Sequence, residues 1–157
     1  MKQVLPTLAR RTKTAGFTLI ELLVVIGILA VLLAITLVAI NPARQFAQAN
    51  NTQRSSDVNA ILNGIHQYAA DHAGQLPAGI TTIPQNISKT GADICSSLVT
   101  DYLAALPVDP LAGPAVTQDQ CAGTYDTNYT VVSSATNNRV TVAAPDAELQ
   151  ASISATR

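Results

Sequence analysis

Ala15-Gly16-Phe17-Thr18-Leu19-Ile20-Glu21-Leu22-Leu23-Val24-Val25-Ile26 decides how the rest of this chain is read. A polar, basic stretch ends at Gly16. An apolar run begins at Phe17 and holds one carboxylate, Glu21. Residues 22–40 then carry no charge at all. As a helix, residues 17–40 would extend about 36 Å at ~1.5 Å per residue. That length crosses a hydrocarbon core of about 30 Å. A chain of 157 residues has little structure with which to bury such a helix, so the run reads as a membrane span.

The flanks give its direction. Lys2, Arg10, Arg11 and Lys13 precede Gly16, and no acid does. A secretory signal carries its apolar region before the cleavage point; here the apolar region follows Gly16, and a cut after Gly16 would leave the helix in the product. On the far side only Arg44 and Arg54 are near. The positive-inside bias therefore places residues 1–16 in the cytoplasm and the chain after residue 41 outside.

Basic leader, Gly16, Phe17, Glu21 and apolar run, in that order, resemble the processing motif of type IV pilins and their pseudopilin relatives. The match is sharpest over residues 10–42. The resemblance implies an α+β, pilin-like fold, with a long N-terminal helix packed in its outer half on a small antiparallel sheet. It implies a cleaved leader at 1–16, a transmembrane and assembly helix at 17–40, an outer amphipathic helix at 41–75 and a head at 76–157. It also implies cleavage between Gly16 and Phe17 by a prepilin peptidase on the cytoplasmic side. Methylation of the new Phe17 amine and assembly into a homo-oligomeric filament on a pilus or secretion platform would follow.

Glu21 is costly in a membrane unless it is paired. It could snorkel to the interface, or meet the Phe17 amine of its own helix or of a neighbour. The resemblance favours the neighbour, which makes Phe17 and Glu21 the assembly pair. Gly27 and Pro42 are helix-weakening positions, Pro42 because it lacks an N–H and crowds the preceding turn. The resemblance implies that the segment between them can melt locally in a filament.

Beyond Pro42 a polar bridge leads to Val58, Ile61, Leu62, Ile65, Tyr68 and Ala69, an amphipathic helical stripe. Gly74 and Pro77 supply its stop. Were it continuous, a helix over residues 17–73 would run on the order of 85 Å. His66 and His72 lie about 120° apart around such a helix and read as ordinary helix residues. Residues 76–93 read as a long loop. Asp93 would cap a short helix reaching Leu106, and Pro107 would end it. Residues 129–132 and 139–143 read as a hairpin against the stripe, with a further short strand expected within 114–126. Residues 146–157 are expected to be loose.

Cys95 and Cys121 both fall on the exported side, where a disulfide persists; two buried thiols are the alternative. Asp109, Asp119 and Asp126 offer oxygen ligands for Ca²⁺, but at no compact calcium-loop spacing, so they read as exposed solubilising carboxylates. No metal or cofactor is expected. The formal net charge is −1, and the part after the leader holds five basic against ten acidic residues. Such a balance disfavours binding nucleic acid through its phosphates. No nucleophile–base set, CxxC or phosphate-binding Gly loop is present, so the chain reads as an enzyme's substrate rather than an enzyme. The main reading is a structural pilin subunit. The alternative is the major pseudopilin of a type II secretion system, kept open by Leu106-Pro107-Val108-Asp109-Pro110. A DNA-binding minor pilin and a tethered enzyme stand further off.

Overall fold

The computed structural model describes residues 16–157; the leader charges Lys2, Arg10, Arg11 and Lys13 lie outside the described residues. The chain divides into two compact units between Asn41 and Pro42.

In the first unit, helix α1 spans Leu19–Ala39. Thr18 caps it in an extended conformation, with φ −77° and ψ 152°. Mean hydropathy is 3.2, and the helix buries no residue. Every Leu, Ile and Val of α1 is at least 51% exposed. The polar Thr36 is made tolerable within the run because its hydroxyl donates to Leu33 O at 2.8 Å. The helix ends where Ile40 turns extended.

The second unit starts with helix α2, Pro42–Asp71. Pro42 is its first residue, where a missing N–H leaves no intrahelical bond unmade. The structure thus has two helices where a single run over residues 17–73 was conceivable, and the break falls at Ile40 and Asn41. One face of α2 is buried through Ala47, Arg54, Asp57, Val58, Ile61, Leu62, Gly64 and Ile65. Each large aliphatic side chain of that face is worth roughly 1.5–3 kcal/mol removed from water. Gly64 lets Leu103 pack closely: a Cβ there would lie 3.2 Å from Leu103 Cγ, so that side chain would have to shift by a few tenths of an ångström. At the far end Gly74, at φ +87°, returns its N–H to Ala69 O at 2.7 Å and closes the helix.

A four-stranded antiparallel sheet covers that face, in the order β1 (Gln85–Ser88), β2 (Asp126–Ser133), β3 (Val140–Ala144), β4 (Ile153–Thr156). Alternation sends Tyr129 and Val131 of β2 and Val140 and Val142 of β3 inward, onto Val58, Ile61, Leu62 and Ile65. The β2–β3 hairpin matches the sequence expectation. The two outer strands depart from it. β1 lies inside what reads as a loop, because Gln85 and Asn86 are poor strand formers held by pairing with Val131 and Thr130. β4 lies in the stretch expected to be loose, its small residues paired from Thr141↔Thr156 to Ala144↔Ile153.

Two further expectations are corrected. The helix expected to reach Leu106 is only α3, Cys95–Leu98. Thr100 takes φ +83°, and the N–H groups of Tyr102 and Leu103 turn back onto Leu98 O. Ile94 occupies the cap position with no side-chain cap bond, and Asp93 is engaged elsewhere. Within 114–126 there is no strand ahead of β2; Val116 makes an isolated bridge with Leu106, followed by a 3-10 turn at Gln118–Gln120.

Candidate functional site

Gly16, Phe17 and Thr18 precede the first helical residue. Among the described residues nothing lies within 4 Å of where a Gly16 Cβ would stand, and Phe17 is 84% exposed. The bond between Gly16 and Phe17 lies in non-helical backbone ahead of α1. Glu21 closes a capping box on Thr18. Thr18 N–H and Thr18 Oγ1 both donate to Glu21 Oε2 at 2.8 Å, and Glu21 N–H donates to Thr18 Oγ1 at 3.3 Å. In the uncut chain the Phe17 nitrogen is an uncharged amide, and Thr18 holds the carboxylate. Gly27 sits inside an unbroken α1 in open space, so the helix interruption falls beside Pro42 and not at Gly27.

The second polar centre was missed in the sequence. Arg54, on the buried face of α2, is 0% exposed. Its Nε donates to Asp109 Oδ2 at 2.6 Å and its Nη2 to Asp109 Oδ1 at 3.1 Å. Its Nη1 donates to Glu148 Oε2 at 2.9 Å and to Asn51 Oδ1 at 3.0 Å. Glu148 is docked further: its carboxylate accepts from Asn50 Nδ2, its carbonyl from Asn51 Nδ2, and its N–H donates to Asn51 Oδ1. One guanidinium thus ties α2 to the loop holding Asp109 and to the β3–β4 connection. Asp109 is buried, which corrects its reading as a solubilising carboxylate; Asp119 and Asp126 are exposed. Burial alone would raise the Asp109 carboxyl, but Arg54 and the Leu111 N–H outweigh it and hold it below the ordinary range. The Asn50 amide and Arg54 hold Glu148 low as well. The guanidinium is in turn held above its ordinary value, first by Asp109. The signal available in the sequence was spacing, since Arg54 stands four residues before Val58 on the same stripe.

Asp57, one turn on, has only neutral donors. Tyr129 OH reaches its Oδ2 at 2.9 Å and Gln53 Nε2 its Oδ1 at 2.8 Å. Burial pushes the Asp57 carboxyl up. Burial and then Asp57 raise the Tyr129 phenol.

Cys95 and Cys121 are joined by a disulfide with Cα atoms 5.4 Å apart. His72 stacks on Tyr68 with ring centroids 3.9 Å apart and shares no site with His66. Among the described residues no group of three or more His, Cys, Asp or Glu is arranged to hold a metal ion.

Residues 11–37 match the family model for the prokaryotic N-terminal methylation motif. That motif is the prepilin-type signature of type IV pilins and pseudopilins. Comparison with curated proteins and with solved structures returns no match for the chain.

Proposed function

We propose that this chain is the structural subunit of a type IV pilus-like filament. It inserts as a prepilin through α1, with the head outside the cytoplasmic or inner membrane. A prepilin peptidase cuts after Gly16, and the new Phe17 amine is methylated. Subunits then associate laterally through α1, with Glu21 of one helix meeting the Phe17 amine of another. The supporting observation is α1 itself. It is a capped helix of 21 residues and mean hydropathy 3.2, it buries none of its own residues, and it begins within the matched motif. Such a surface needs lipid or other copies of itself.

A second reading is the major pseudopilin of a type II secretion system. It is favoured by the Asp109-Pro110 passage and the small head that this passage helps to fasten. Expression with a prepilin peptidase and pilus or secretion machinery tests both. Sheared surface filaments whose subunits begin at Phe17 support the pilin. Processed protein retained in the envelope, with protein export lost on deletion, supports the pseudopilin. An uncut chain overturns both.

A further inference from the structure

The two segments that the disulfide joins are also joined without it. Lys89 N–H donates to Tyr125 O at 3.0 Å, and Lys89 Nζ donates to Cys121 O at 3.2 Å. Lys89 Nζ also reaches Asp93 Oδ2 at 2.7 Å. Tyr125 OH donates to Asp93 Oδ1 at 2.7 Å and accepts from Cys95 N–H at 3.3 Å. The turn that brings Asp93 back towards Lys89 is tight: a Cβ on Gly91 would collide with Asn86 O, and Gly91 N–H is taken by Ser88 Oγ at 3.1 Å. Each cysteine therefore has a clasp partner on its own backbone, Tyr125 on the Cys95 N–H and Lys89 on the Cys121 carbonyl. In the folded head both cysteines are almost wholly buried, at 0% and 3% exposure.

We propose that this clasp forms before the disulfide and brings the two sulfurs together, so that Lys89, Asp93 and Tyr125 are positioning residues for oxidation of Cys95 and Cys121. The reaction is thiol–disulfide exchange with a small disulfide. One cysteine thiolate attacks it, forming a mixed disulfide and releasing one small thiolate. The second cysteine then attacks the protein-side sulfur, forming the bond between Cys95 and Cys121 and releasing the second small thiolate. The two electrons and two protons lost by the protein end on two small thiols. The clasp acts on the second step, which depends on how close the second thiol is held. This inference stands apart from the filament reading and needs only an oxidising compartment.

The full chain in detergent micelles is reduced, freed of reductant and mixed with oxidised glutathione, and acid-quenched samples are weighed. Wild-type chain should pass to the internal disulfide with little glutathione adduct. Tyr125→Phe and Lys89→Met should accumulate the adduct and close about fivefold more slowly, the effect of one or two lost hydrogen bonds. Val140→Ala, a core truncation in the sheet, should destabilise the head without accumulating adduct. Wild-type closure rates in both clasp variants would overturn the proposal, and so would equal adduct accumulation in Val140→Ala. The Cys95→Ser/Cys121→Ser chain should keep a protease-resistant head; digestion at the rate of unfolded chain would show that the clasp depends on the disulfide.

Discussion

Arg54 Nε and Asp109 Oδ2 lie 2.6 Å apart, fifty-five positions apart in sequence, with side-chain exposures of 0% and 2%. A buried ion pair is weak evidence of net stability, but removing one partner leaves the other charge stranded. Arg54→Met should therefore cost the head about 3–5 kcal/mol. Arg54→Met combined with Asp109→Leu should recover much of that loss. Denaturant unfolding of the three chains checks it, and a double variant no better than Arg54→Met would show that the guanidinium contributes mainly through Glu148 and Asn51.

Glu21→Ala should leave processing at Gly16 intact and lower filament yield by at least about tenfold, the change that a contact of ~1.4 kcal/mol produces. Glu21→Gln separates two roles of this side chain. It can still accept from Thr18 and preserve the cap, yet it carries no charge for a neighbouring amine. Filament yield from Glu21→Gln equal to wild type would mean that the cap, and not the charge pair, matters.

The carboxylates around Arg54 and the neighbouring Asp57 pull stability in opposite directions with pH. Asp109 and Glu148 are held below the ordinary range. Their contribution is complete above their unfolded values of about 4 and fades as pH falls through the folded values. Asp57 is raised by burial. Just above pH ~4 the folded head still holds a proton that the unfolded chain has released, so the Asp57 contribution declines as pH rises through that window. The melting temperature of Asp57→Asn relative to wild type should climb with pH across this window and then level. A difference that stays constant from acid to neutral would remove Asp57 from the account.

Masses of the head under reducing and non-reducing conditions should differ by two hydrogens. Opening the disulfide, whose partners are 26 residues apart, should lower stability by about 3–4 kcal/mol on the chain-entropy argument. Free thiols in exported protein would contradict the closed state.

What the sequence made legible was composition and spacing along the chain: the unbroken apolar run of α1, the helical stripe on α2, and the β-rich runs of β2 and β3 on either side of a polar turn. β1 and β4 were not, because Gln85, Asn86, Ser154 and Ala155 have little strand preference of their own and are ordered by neighbours. The Arg54 cluster was hidden for a different reason. Arg54 and Asp109 are ordinary surface residue types, and only the tertiary fold brings the two together. Asp93 illustrates the limit of local rules: a good cap by position, it is drawn off by Lys89 and Tyr125.

The β3–β4 connection has a last consequence. Ala144 and Ile153 are paired neighbours, so a two-residue turn would have closed that hairpin. Residues 145–152 instead travel out to set Glu148 on Asn50, Asn51 and Arg54. The detour binds the edge of the sheet to the same guanidinium that holds the Asp109 loop. Neither segment can swing away without uncovering a charge, so the elements tied to Arg54 should open together. In native-state hydrogen exchange, β3, β4 and the middle of α2 should share one opening free energy, while the turn at residues 134–138 fluctuates independently.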